Sequence, residues 1–184
     1  MVHSDTDLAD LVERARAGSP EAFTGLYERL AGPVAGYLRS RGVREVDDAT
    51  SDVFLAVFTG LERFEGDGER FRAWVFTIAH RRSVDSWRRA GRTPALEPLD
   101  DAPPVLVASA EDAALDLLGD DRVRALLDLL SPDQRDVLLL RVVADLSLEQ
   151  VAAVLGKREG AVKALQHRAL ARLRRHLAGE GVSP

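Results

Sequence analysis

The chain reads as all-α, built as two small helical blocks joined by a linker. Three observations carry that reading. Apolar residues recur at spacings of three and four, with no sustained alternation that would mark strands. Serines placed to cap helices open several of the periodic runs. A proline-rich stretch without any period then divides the chain near its middle.

The elements follow in order. A first helix covers Thr6 to Ala17 and stops at Gly18. Ser19-Pro20-Glu21 restarts it, with Ser19 able to accept from free backbone N–H groups and Pro20 in the first turn, where its missing N–H costs nothing. Phe23, Leu26, Tyr27, Leu30, Val34, Tyr37 and Leu38 then form one apolar stripe up to Gly42. A third helix spans Val46 to Leu61 with Val53, Phe54, Val57, Phe58 and Leu61 inward. After the loop RFEGDGER, in which GDG is a turn, a fourth runs from Phe71 to about Ala90. Gly91 to Ala108, with four prolines, is the linker; its Pro103-Pro104 pair makes part of it extended.

Beyond the linker, Ser109 to Leu118 and Asp121 to Leu130 are helical by pattern. Ser131-Pro132-Asp133-Gln134 and Ser147-Leu148-Glu149-Gln150 are capping boxes, in which serine and glutamine satisfy each other's backbone N–H groups. The expected division is therefore 1–90, 91–108 and 109–184.

A net charge of −5 speaks against nucleic acid only if the charges are evenly spread, and they are not. His80 to Arg92 and Lys157 to His176 together hold 12 of the 25 Lys and Arg but 2 of the 30 acids, so they carry +10 and the remainder −15. Two basic patches on an acidic body suit phosphate binding, although a single such run is commonly a solvated helix face.

Ser147 to Leu155 places Leu148, Val151, Ala152 and Leu155 on one face, Gly156 can end that helix in a left-handed conformation, and another helix starts within about two residues. Val162, Leu165, Ala169, Leu170 and Leu173 would face inward. Arg158, Lys163, Gln166, His167, Arg168, Arg172 and Arg175 would face outward, where long donors reach phosphates and base edges. This is a helix-turn-helix pattern. Arg158 or Lys157 stands where a cap is expected, and a cation there opposes the helix dipole by about 0.3–1 kcal/mol, a feature easier to explain by a polyanion than by stability.

In the first block, Phe71, Trp74, Val75, Ile78 and Ala79 make a core stripe. Trp87, among Arg81, Arg82, Arg88 and Arg89, is either a packed ring or one that stacks on an unpaired base. The acids Asp47, Asp48 and Asp52 read as a solvated first helical turn favoured by the dipole, with a protein-binding face as the functional alternative.

Other classes fall away. There are no cysteines, hence no disulfide, thiolate metal site or cysteine nucleophile, which fits a reducing cytosol. His3, His80, His167 and His176 lack metal spacing, and no phosphate loop, dinucleotide fingerprint or nucleophile elbow is present. No catalytic residue, metal, cofactor or small-molecule substrate is expected. The acids of MVHSDTDLADLVERA leave no export signal, and no run is apolar enough to insert in a membrane, so the expected place is the cytoplasm.

Three segments, in order, resemble the bacterial extracytoplasmic-function sigma factors of the sigma-70 family: VDDATSDVFLAVFTGLERF, FRAWVFTIAHRRSVDSWRR, and the run from LLSPDQRDVLLL to the end of ALQHRALARLRR. The resemblance spans Glu21 to Leu177. It implies two domains, region 2 and region 4, that attach to core RNA polymerase and read promoter DNA, with an anti-sigma factor as a further partner. It implies that Asp47, Asp48, Asp52 and Phe54 lie on the helix that docks on the polymerase clamp. Phe64, Glu65, Gly66, Asp67, Gly68, Glu69 and Arg70 would form the loop that captures a flipped base, an extrusion costing a few kcal/mol that stacking must offset. Arg81, Arg82, Trp87, Arg88 and Arg89 would lie near the minus-ten DNA. Leu126 to Leu140 would include the surface for the polymerase flap, and Arg158, Lys163, Gln166, His167 and Arg168 would face the minus-thirty-five DNA. The family pattern has a bulky residue and a Gln-Glu pair where this chain has Ala49, Thr50, Ser51 and Asp52, and a serine or threonine where it has Arg158. A helix-turn-helix regulator with a separate sensory domain, or a helical adaptor without DNA contact, are the competing readings; the first needs alternating strands and helices, and the second leaves both basic patches unexplained.

Overall fold

The computed structural model describes residues 3–89 and 121–180, and every regular element among them is helical. The first block holds α1 (His3–Arg16), α2 (Pro20–Ser40), α3 (Val46–Gly60), a single 3₁₀ turn (Leu61–Arg63) and α4 (Gly68–Arg89). The second holds α5 (Asp121–Asp128), α6 (Pro132–Val142), α7 (Leu148–Leu155) and α8 (Glu159–Glu180). The expected linker and the helix expected over Ser109 to Leu118 lie outside the described residues.

Local chemistry sets the helix starts. Ser19 accepts from the Ala22 N–H at 3.2 Å with Pro20 leading α2. Both capping boxes form: Gln134 N donates to Ser131 Oγ while Ser131 N donates to Gln134 Oε1, and Gln150 and Ser147 repeat the pattern. The expected start of α4 at Phe71 is three residues late. Asp67 Oδ1 accepts from the Arg70 N–H at 2.9 Å, a cap that opens the helix at Gly68.

Packing corrects the α3 face. Phe58 is exposed at 59 %, not inward, because its ring meets Phe23 edge-on at the rim (5.1 Å), while Phe54 beneath is buried against Tyr27 (4.7 Å). The core of the first block is Leu8, Leu26, Val34, Tyr37, Val53, Val57, Phe71 and Phe76, all essentially without exposure. Tyr37 is held there by its hydroxyl, 2.8 Å from His80 Nδ1.

The two blocks touch. The apolar core runs without interruption from α1–α4 into Val137, Leu140, Leu146, Val151 and Val162, and α4 lies directly against α7. A smaller cluster, Leu130, Leu138 and Ala169 with Leu127, Leu170 and Leu173, belongs to the second block alone.

Candidate nucleic-acid interface

The turn between α7 and α8 is tight because Gly156 sits at φ +63°, a left-handed cap that lets Gly156 N–H and Lys157 N–H close on the last turn of α7. α8 then turns Val162 and Ala169 into the core, with Leu165 half-buried beside them. Lys163 and His167, four residues apart, emerge on the opposite side, and Arg158, Arg168, Arg172 and Arg175 are also exposed. Gln166 departs from the expected outward face: it is half-buried and its amide oxygen is enclosed without a hydrogen-bond partner. Lys157 is drawn aside by Asp133, 2.8 Å from its Nζ.

On α4, Arg81 and Arg88 are exposed and Arg82 is half-exposed. The side chains of Trp87 and Arg89 lie outside the described residues. Arg82 meets Asp52 of α3 at 3.5 Å, joining two residues that the sequence assigned to different partners. Such an exposed pair contributes at most about 1 kcal/mol.

The acids Asp47, Asp48 and Asp52 are all exposed along α3, with Leu55 and Phe58 exposed beside them (63 % and 59 %). Phe54 shares that helix but faces the core at 4 % exposure, so its ring is not offered to a partner; Phe58 is the exposed aromatic that the sequence stripe misplaced.

The loop before α4 is partly closed. Phe64 is buried, stacked on Trp74 (5.1 Å, 25°) and edge-on to Phe71 (5.4 Å). Gly66 holds φ +154° where a Cβ would meet Arg70 Cβ at 2.9 Å, so only glycine fits. Glu65, Asp67, Glu69 and Arg70 are exposed around it, and Gly68, Glu69 and Arg70 already belong to the first turn of α4. Trp74 itself rests against α3 at Gly60, where a Cβ would come within 2.9 Å of the indole. In the expected flap surface, Val137 to Leu140 are buried and Leu126, Leu127 and Leu129 are half-buried.

His80, although within the basic stretch, faces inward. Burial first, and then the Arg41 guanidinium, lower its pKa to about 4, so the imidazole is neutral at neutral pH. Burial raises the Tyr37 phenol well above its usual range. Among the described residues no cluster of His, Cys, Asp or Glu could hold a metal ion.

A helix-turn-helix with a cationic outer face, beside a helical bundle that carries a second basic helix and an acidic helix, is the arrangement of a DNA-binding transcription factor of two helical parts. Residues 26–93 match the family model of sigma-70 region 2, and residues 120–173 that of sigma-70 region 4. The ECF RNA polymerase sigma factor SigD of Mycobacterium tuberculosis is 36 % identical over 179 residues, covering 93 % of this chain and 84 % of SigD. BldN of Streptomyces coelicolor, another ECF sigma factor, is 35 % identical over 95 % of this chain and 68 % of its own length. The solved structure of CnrH in complex with the cytosolic domain of CnrY superposes with a TM-score of 0.66 at 30 % identity, covering 94 % of this chain and 98 % of CnrH. The chain belongs to the sigma-70 family and is an RNA polymerase sigma factor of the ECF type. Sigma factors are non-catalytic subunits.

Proposed function

We propose that this chain, with no catalysis of its own, brings core RNA polymerase to a small set of promoters and helps to open them. The observation that carries this is the pairing of the α8 cationic face with the acidic and apolar α3 face on one chain: one suits a polyanion, the other a protein. In this reading 1–90 is the region 2 domain, 91–108 the tether and 109–184 the region 4 domain. Arg158, Lys163, His167, Arg168 and Arg172 face minus-thirty-five DNA, with Gln166 able to join only if its side chain turns outward. Arg81, Arg82 and Arg88, with Trp87 and Arg89, lie along the minus-ten strand, and the loop from Phe64 to Arg70 receives the flipped base. Asp47, Asp48 and Asp52 meet the polymerase clamp, with Phe58 in the place first given to Phe54.

CnrH is solved with the cytosolic domain of CnrY, and RpoE of Bartonella quintana with the anti-sigma factor NepR. An anti-sigma partner covering the α3 face is accordingly part of the proposal. Among the described residues no helix is long and apolar enough to cross a membrane; the proposed place of action is the cytoplasm, with no cofactor and no small-molecule substrate.

Run-off transcription with purified core polymerase on a promoter library tests the reading. Defined transcripts that need the added chain are expected. Salt-sensitive duplex binding without any such transcript would favour a regulator that is not a polymerase subunit.

A further inference from the structure

The outer face of α8 holds one residue that a purely cationic surface does not explain. Between Glu149 and Glu180 the chain carries seven Lys and Arg and a single acid, Glu159. Glu159 opens α8 and is exposed, and Lys163 and His167 follow it at intervals of four on the same side of the helix.

The cations beside it do not neutralise it. Lys163 stands four residues on, the order in which a glutamate and a lysine pair best on a helix, yet no ion pair joins them. Lys157 is held instead by Asp133 of α6, Nζ to Oδ2 at 2.8 Å. Among the described residues the Glu159 carboxylate has no hydrogen bond or ion pair. A first-turn acid suits the helix dipole, which accounts for Glu159 in the free chain but not for its place on a face that meets phosphates.

Gly160 adds a second observation. A Cβ built on it meets nothing within 4 Å, so alanine would fit the chain's own packing and would favour the helix. The exposed glycine keeps the helix surface bare beside Glu159, where a backbone must come close to another molecule.

The chemistry of the groove then selects a base. The first residues of a recognition helix are the ones that reach base edges in the major groove. An ionised carboxylate only accepts hydrogen bonds, and the donors on those edges are the amino groups of cytosine and adenine. In adenine the amino group lies beside the N7 acceptor, which repels a carboxylate, while cytosine has no acceptor next to its amino group. Guanine and thymine present acceptors and repel it outright. An acid on this face therefore discriminates by repulsion as well as by its bond.

We propose that Glu159 is a specificity-determining residue that accepts from the N4 amino group of one cytosine in the minus-thirty-five element, with Gly160 giving α8 the close approach this needs. The inference rests on the proposed placing of α8 against that element. Arg158, Lys163 and Arg168 hold the duplex, and Glu159 rejects the duplexes that lack cytosine at its position.

The test uses holoenzyme assembled from core polymerase and the full chain, on promoters in which each base pair of the minus-thirty-five element is varied in turn. Competition binding gives the base preference at each position, and run-off transcription shows that the complex is active. For the unsubstituted chain, one position should favour cytosine over the other three bases by about 10-fold. Glu159→Gln should move that one preference to adenine, because an amide both donates and accepts there, and leave the ratios at all other positions unchanged. Glu159→Ala should flatten the preference without weakening nonspecific duplex binding. Gly160→Ala should raise the Tm yet weaken promoter binding by about 10-fold, a pair of opposite signs that a packing role does not produce. The assignment is overturned by a native chain without such a cytosine preference, by Glu159→Gln losing affinity equally on all sequences or changing no preference, or by Gly160→Ala binding as tightly as the original. If the unsubstituted chain directs no transcription, the sigma reading falls instead, and the same duplexes bound by the free chain decide the role of Glu159 by the same criteria.

Discussion

Lys163, His167 and Arg168 stand on α8 with their side chains in solvent, a donor-rich face open to a polyanion. Each phosphate neutralised releases counterions, so Lys163→Ala should weaken binding evenly across sequences and lower the slope of log K against log salt by about one. A contact to a base edge behaves differently. If Arg168 reads a base, Arg168→Ala should cost about 1–3 kcal/mol on the preferred minus-thirty-five element and relax specificity there, measured by competition between matched and mismatched duplexes. His80 makes a pH prediction of definite sign. Its pKa is about 4 in the folded chain against 6.5 when free, so above pH 6.5 it is neutral in both states and costs nothing. As pH falls from 6.5 toward 4 the unfolded chain takes up a proton that the folded chain refuses, and stability is lost. Asp136 opposes this, because burial raises its pKa and favours its protonated form in the fold. The comparison of native chain with His80→Asn cancels Asp136: the native chain should lose more denaturation free energy between pH 6.5 and 4 than the variant does. An equal loss in both would show that His80 is not the neutral, buried group described.

Helix boundaries depend on neighbours within four residues, so the sequence states them almost directly. Ser19, Ser131, Ser147 and Gly156 were legible because each acts on backbone groups one turn away. Asp67 carried the same signal at α4, masked by the glycines on either side of it. The inward faces were legible to within one position and no better. Period alone puts Phe54 and Phe58 on one stripe of α3; which ring is covered depends on where Phe23 and Tyr27 of α2 stand, a matter of helix packing that periodicity does not contain. The same limit hid the Arg82–Asp52 contact and the inward turn of Gln166. Two substitutions test the element-scale account. Ser147→Ala removes a reciprocal cap and should cost about 1 kcal/mol, a fall in Tm of about 2–4 °C for a chain of this size. Gly156→Ala meets no neighbouring atom within 4 Å, so its whole cost is the left-handed backbone, about 1–2 kcal/mol. The Ala variant should lose stability in thermal melts without any repacking of Val154 or Val162; a neutral result would mean that the turn does not hold φ +63° in solution.

At the scale of the whole molecule the sequence was silent on how the two blocks meet, because Arg41 and Asp136, which form an ion pair across that contact, are separated by 95 residues and nothing local marks them as partners. Asp136 heads the apolar run Val137 to Leu140 and is buried with it, where an unpaired charge would be costly; its meaning appears only once Arg41 is brought to it from the other block. Two promoter-reading elements on one chain also place a demand on the tether that neither block can meet alone. Deleting residues 95–114 leaves a contour of about 40 Å between Arg89 and Asp121, short of the ~85 Å between the two elements. Both blocks should still fold, and the shortened chain should still bind a duplex carrying only the minus-thirty-five element with unchanged salt dependence. Run-off transcription from promoters that require both elements should fall to background and return when the deleted residues are replaced by an equally long Gly/Ser segment. If the shortened chain initiates as well as the full one at standard spacing, the two blocks do not read the two elements simultaneously, and the division of labour between α4 and α8 would have to be abandoned.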